Sequence, residues 1–121
     1  MPRVRYLREG LAVEVPVGAT LLEASRAAGA PHGSHCGGVC GCSTCHVYVR
    51  AGAALLSAME RDEDSLLGGA IDREGSSRLG CQAIIEADGE VALEISDESF
   101  ETYLDEHEAD AERVLALRGL R

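Results

Sequence analysis

An α+β fold is predicted from three features of the chain. Short stretches of alternating apolar and polar residues lie near both ends of residues 1–96. Between them stands one amphipathic segment with a helix-start signature. A glycine-rich stretch without periodicity separates that segment from the next apolar run, and it holds four of the five cysteines within ten residues. Strands grouped around a helix with one apolar face are the pattern of a sheet that packs a helix on one side.

Each element has a local reason. Val4 and Tyr6 share one face of a first strand, Glu9-Gly10 can turn the chain, and Leu11, Val13 and Val15 alternate on the return. These read as a hairpin, stopped by Pro16 and Gly18. Thr20-Leu21-Leu22-Glu23 is a capping box, a hydroxyl at the N-cap with a carboxylate three residues on. Leu21, Leu22, Ala24, Ser25 and Ala28 form the inner face of the helix it opens, and Gly29 with Pro31 ends it. Residues 29–44 hold five glycines and read as a loop, which Val47-Tyr48-Val49 leaves as a short strand. Ser57-Ala58-Met59-Glu60 reads as a second capping box, opening a short helix with an acidic outer face through Glu60-Arg61-Asp62-Glu63-Asp64 and stopping at Gly68-Gly69. Residues 79–86 and 91–95 read as strands of a second hairpin turned at Asp88-Gly89.

Residues 1–96 thus form one domain. After them Phe100, Tyr103, Leu104, His107, Ala111, Val114 and Arg118 recur at helical spacing, and eight acidic residues fall from Asp97 to Glu112. Residues 97–121 read as an acidic tail, an amphipathic helix that packs back on the domain or waits for a partner.

The bulk properties exclude several functions. With 45% hydrophobic and 26% charged residues the composition is that of a soluble globular protein. No apolar run approaches the roughly 20 residues that span a bilayer, and the first residues have no apolar core of an export signal, so a cytoplasmic address is expected. The net charge of −10 repels a phosphate backbone and favours a basic protein partner. In a reducing compartment five cysteines point to metal or redox chemistry rather than to structural disulfides.

Cys36, Cys42 and Cys45 stand at C-x5-C-x2-C, and Cys81 follows after 35 further residues. Four thiolates, three from one loop and one from a distant strand, can wrap an iron–sulfur cluster. Gly37, Gly38 and Gly41 can take positive φ and bring backbone N–H groups against the sulfurs, and Ser43 and Thr44 offer hydroxyl donors. A zinc site of four thiolates is the rival reading, since Cys42-x2-Cys45 is also a zinc-knuckle spacing; the chain would then be a zinc-stabilised four-cysteine interaction module. Zinc usually takes two such pairs, and Cys81 has no second cysteine beside it. A dithiol redox pair at Cys42 and Cys45 leaves Cys36 and Cys81 unexplained. His32, His35 and His46 lack the spacing of a Rieske site.

Cys36-x5-Cys42-x2-Cys45-His46, with Arg78-Leu79-Gly80-Cys81-Gln82, resembles the adrenodoxin-type (vertebrate-type, putidaredoxin-like or ISC-like) 2Fe-2S ferredoxins. The resemblance runs from residue 3 to about 96. It takes in the hairpin, the Ala-Thr-Leu-Leu-Glu-Ala-Ser helix start, Cys-Ser-Thr-Cys-His-Val-Tyr-Val and the acidic helix. It implies a β-grasp (ubiquitin-like) ferredoxin fold, one 2Fe-2S cluster, and a monomeric one-electron carrier that is not an enzyme and binds neither nucleic acid nor membrane. It also implies Cys36, Cys42, Cys45 and Cys81 as ligands and leaves out Cys40, which reads as a small buried residue or else as a redox sensor. By the same likeness electrons come from a flavin-containing, NAD(P)H-dependent ferredoxin reductase. They leave for iron–sulfur assembly proteins or for a cytochrome P450 or related oxygenase. The family's docking helix falls on Glu60, Asp62, Glu63 and Asp64, although two acidic positions used by the steroid-hydroxylase members are here Ser65 and Gly68. His46 is expected to hydrogen-bond behind the cluster loop, and His32 and His35 to be exposed loop residues.

Overall fold

The computed structural model describes residues 1–33, 44–70 and 72–119. Cys36, Cys40 and Cys42, with His35 and the loop glycines Gly37, Gly38 and Gly41, lie outside the described residues.

Five strands form one mixed sheet: β1 (Arg3–Tyr6), β2 (Leu11–Glu14), β3 (His46–Ala51), β4 (Ser77–Leu79) and β5 (Glu90–Ile95). Their order is β2-β1-β5-β3-β4. β1 pairs antiparallel with β2 in the register Val4–Val13, as the hairpin pattern predicts. β5 runs parallel to β1 and antiparallel to β3, so it is the central strand and carries the fully buried Val91, Leu93 and Ile95. This corrects the expected second hairpin. Residues 80–82 turn away after β4, and residues 84 and 85 make only isolated bridges, to Thr20 and Leu56. Their partner in the expected hairpin is drawn instead between β1 and β3, where its alternating apolar face is covered.

α1 (Leu21–Ala28) crosses the sheet with Leu21, Leu22, Ala24 and Ser25 buried. Thr20 Oγ1 accepts from Glu23 N–H while the Glu23 carboxylate accepts from Thr20 N–H, completing the capping box. Gly29 ends the helix at φ +72, a left-handed conformation that glycine adopts without a Cβ clash. α2 (Arg61–Leu67) starts four residues later than its predicted cap. Glu60 is its N-cap with no side-chain capping bond, and Ser57 Oγ instead accepts from Ile84 N–H at 3.0 Å.

After residue 96 the chain forms α3 (Asp97–Glu106), a 3-10 turn over Glu108–Asp110, and α4 (Ala111–Leu117). Phe100 and Val114 join Val4, Tyr6, Leu21, Val47 and Leu93 in the main core. Arg118 is buried against Glu9 in an ion pair, donates to Ile95 O at 2.8 Å, and stacks on the Phe100 ring at 4.1 Å. A second, smaller apolar cluster takes Leu22 of α1, next to the Leu21 of the main core. It is built from Leu22, Leu67 and Leu79 around Cys45 and Cys81.

Candidate metal centre

Two of the four predicted ligands are described, and they meet. Cys45 precedes β3, and Cys81 follows β4, its antiparallel neighbour in the register His46–Leu79. That pairing brings residues 36 apart in sequence to one end of the sheet. The two sulfurs stand 3.3 Å apart, well beyond the roughly 2 Å of a disulfide. Both cysteines are buried, at 0% and 8% exposure. Two thiolates on one tetrahedral metal, at bonds of about 2.3 Å, stand a little under 4 Å apart. The pair therefore fits a shared metal ion, held in an apolar cluster that excludes water. Gln82 Nε2 lies 3.7 Å from Cys81 Sγ, within reach as a donor to sulfur.

The Cys45 carbonyl oxygen is held from two sides: Gly80 N–H donates to it at 2.9 Å and His32 Nε2 lies at 2.8 Å. His32 is not an exposed loop residue. It is 5% exposed, and Ser25 Oγ lies 2.7 Å from its Nδ1 while Tyr6 Oη lies 2.8 Å from Ser25 Oγ. Burial is the main force pushing the imidazole down to about 4, so it is neutral at pH 7. The Tyr6 phenol is raised far above its ordinary value, again chiefly by burial. Sequence reasoning missed His32, yet a clue was present. Ser25 lies on the apolar face of α1, and a buried hydroxyl needs a partner.

His46 is fully buried, and its Nε2 lies 2.7 Å from Ser77 Oγ, tying β3 to β4 beside the two thiols. Its ring meets Tyr48 edge-on at 4.7 Å. Burial lowers its pKa.

The acidic helix divides. Glu60, Asp62 and Asp64 are exposed, Asp64 pairing with Arg73. Glu63 is only 2% exposed and faces inward, which corrects its placement on a docking face. Its Oε2 accepts from Arg78 Nε at 2.7 Å and from Leu79 N–H at 2.9 Å, and its Oε1 accepts from Arg78 Nη2 at 3.0 Å. Arg78 also donates to Ser57 O at 2.7 Å. α2 is thereby fastened to the strand that leads into Cys81.

A mixed sheet grasping one helix, with two thiols converging at its edge, defines a small thiolate metal protein. The chain belongs to the 2Fe-2S iron–sulfur cluster binding domain family, whose model matches residues 4–86. A 2Fe-2S ferredoxin of Pseudomonas aeruginosa is 36% identical over 95 residues, covering 78% of this chain and 84% of that protein. Among solved structures, the ISC-like 2Fe-2S ferredoxin FdxB of Pseudomonas putida is similar at TM-score 0.70 and 38% identity, over 79% of this chain and 93% of that one. Putidaredoxin in a covalent complex with putidaredoxin reductase is similar at TM-score 0.65 and 28% identity, over 77% of this chain and 96% of that one. The fold is accordingly β-grasp, the cofactor is one 2Fe-2S cluster, and the zinc reading falls. As a 2Fe-2S ferredoxin the chain is an electron carrier, not an enzyme.

Proposed function

We propose that the protein takes single electrons from a flavin-containing, NAD(P)H-dependent ferredoxin reductase and delivers them to an iron–sulfur assembly protein. Cys36, Cys42, Cys45 and Cys81 are the proposed ligands. The observation that carries the reading is the buried approach of Cys45 and Cys81 sulfurs to 3.3 Å. When bound, the cluster supplies reversible one-electron chemistry. The residues around it hold the thiols and keep water from them.

Glu60, Asp62 and Asp64 supply an acidic face for such an encounter, where complementary charge speeds association and a small wet interface permits rapid release. The likeness to putidaredoxin, seen bound to its reductase, supports the donor. The likeness to an ISC-like ferredoxin supports assembly proteins as the acceptor. A cytochrome P450 or related oxygenase is the second acceptor, supported by the family resemblance of Cys36-Gly37-Gly38 and Cys45-His46-Val47-Tyr48-Val49. Among the described residues no helix is long and apolar enough to cross a membrane. A monomer working in the cytoplasm, with residues 97–121 as an appended tail, completes the proposal.

The test is direct. Anaerobically purified protein should hold about two irons and two sulfides per chain and bleach with dithionite. Cys36→Ser should abolish or grossly perturb the visible spectrum, and Cys40→Ser should leave it intact. Loss of the spectrum in the Cys40 variant would overturn the ligand assignment. Mixing with reductase, then with a scaffold-bound assembly complex or a P450, separates the two acceptors by which one reoxidises the protein.

A further inference from the structure

The Cys45 carbonyl can only accept, so the hydrogen on His32 must lie on Nε2 and point at it. Nδ1 is then the acceptor, so the single hydroxyl hydrogen of Ser25 goes to it, 2.7 Å away, rather than to Leu21 O at 2.9 Å. Tyr6 Oη–H donates in turn to Ser25 Oγ. A single buried file of hydrogen bonds therefore runs from β1 through α1 to the peptide of Cys45. The ring also touches the other arm of the site. A Cβ on Gly80 would lie 2.1 Å from His32 Cε1 and 2.6 Å from Nε2, so the imidazole rests on the Gly80 backbone, one residue before Cys81.

We propose that His32 is a positioning residue that sets the Cys45–Cys81 spacing and tunes the reduction potential of the cluster. The inference rests on the reading that Cys45 and Cys81 are ligands. Its first part is geometric. The Nε2–H bond fixes the plane of the Cys45–His46 peptide, and the ring's contact with Gly80 fixes how near Cys81 can come, so one rigid group gauges the distance between the sulfurs. Its second part is electrostatic. The positive end of the Nε2–H dipole is aimed at the Cys45 carbonyl oxygen, polarising the peptide of a ligand so that it favours the added negative charge of reduction.

The experiment compares His32→Leu, which fills the space without a donor, with His32→Gln, whose amide can reach Cys45 O as a donor. Both are made in the full chain and purified with cluster. In the Leu variant, loss of the cluster to an iron chelator should quicken at least about tenfold, as when outer partners of metal ligands are removed. At a fixed electrode potential its reduced-to-oxidised ratio should fall several-fold, up to about tenfold, equivalent to 59 mV for one electron. The Gln variant should restore the potential more than it restores stability. A potential unchanged in the Leu variant, or lowered equally in both, overturns the proposal. If the Leu variant does not fold, Ser25→Ala serves: by freeing the ring it should lower the potential in the same direction, and an unchanged potential there also overturns the proposal. Cys45→Ser distinguishes failure of the underlying reading: an unaltered visible spectrum would show that Cys45 is no ligand, whatever His32 does.

Discussion

Replacing Gly33 by alanine should unseat the tail. Gly33 is the last described residue before the cysteine loop, and α3 lies directly on it. Its N–H donates to Ser99 O at 3.2 Å, and Ser99 Oγ–H donates to its carbonyl at 3.1 Å. A Cβ there would lie 2.4 Å from Ser99 O, 2.6 Å from Tyr103 N and 2.7 Å from Thr102 Cβ. Two of these are helix backbone atoms, which cannot swing aside. If the chain keeps the contact, overpacking costs about 1–3 kcal/mol. If α3 lifts, two hydrogen bonds worth about 1 kcal/mol each are lost. Part of the burial of Phe100 goes with them, about 2 kcal/mol for a side chain of that size. The molecule takes the cheaper route, so docking of the tail should weaken by about 1–3 kcal/mol. Native-state hydrogen exchange on cluster-loaded protein reads this at equilibrium. Amides of α3 and α4 should exchange about 5- to 140-fold faster, at about tenfold per 1.4 kcal/mol, while β1 and β5 keep their protection. Tail amides within about threefold of the parent rate would refute the reasoning.

Gly80→Ala drives a methyl into the His32 ring, and overpacking of about 1–3 kcal/mol should appear as cluster release to a chelator about 5- to 100-fold faster. Release at the parent rate would contradict it. Glu63→Gln leaves Arg78, 12% exposed, with a neutral partner, and should cost about 2–3 kcal/mol in the exchange protection of β4, less than the roughly 3–5 of a buried charge stripped bare. The salt dependence of reductase-driven reduction should not change in that variant, whereas Asp62→Asn, on the open face, should flatten it. The reverse outcome would put Glu63 back on the docking surface. Asp110→Asn, which weakens the contacts to Arg113 and Tyr103, should cost about 0.5–1 kcal/mol in tail protection, since the pair is partly exposed. Hydrogen bonds from Arg113 and then Tyr103 hold the Asp110 carboxyl at about 2 against an ordinary 3.8. Its contribution is whole above that ordinary value and lost only as pH falls through about 2. The cost of the substitution should therefore be flat from pH 8 to 5, and a cost that shrinks across that range would refute the assignment.

Local signals carried much of the fold. The hairpin of β1 and β2 and the capping box of α1 depend on neighbours in sequence, and both stand where the pattern places them. The second hairpin failed because β5 answers to distant strands: Val91 pairs in register with Val4 and Leu93 with Val49, contacts that no local pattern specifies. The second capping box failed for a similar reason, as the Ser57 hydroxyl is taken by Ile84 N–H. At the site, thiols are legible because few groups bind metal and their spacing constrains the loop. His32 and Glu63 were not legible, because polarity in a loop or on an acidic helix reads as solvent-facing until a partner from another element, Ser25 or Arg78, is brought against it.

The two buried braces share an electrostatic property. Glu63 with Arg78 sums to no net charge, and neutral His32 adds none. A site meant to hold four thiolates, and then to accept a further electron, cannot afford another uncompensated carboxylate nearby, since like charges a few ångströms apart in a poorly solvated interior repel by several kcal/mol. The chain nevertheless carries a net charge of −10. That excess is turned outward, onto Glu60 at the N-cap of α2, Asp62 and Asp64 within it, and the exposed Asp97, Glu101, Asp105 and Glu106 of α3. Water and salt screen it there from the thiols, while it still reaches an approaching basic partner over a Debye length of about 8–10 Å. The same sequence is thus acidic on its surface while the braces beside Cys45 and Cys81 add no net charge. The inward turn of Glu63, in the middle of the acidic run, marks the boundary between those two demands.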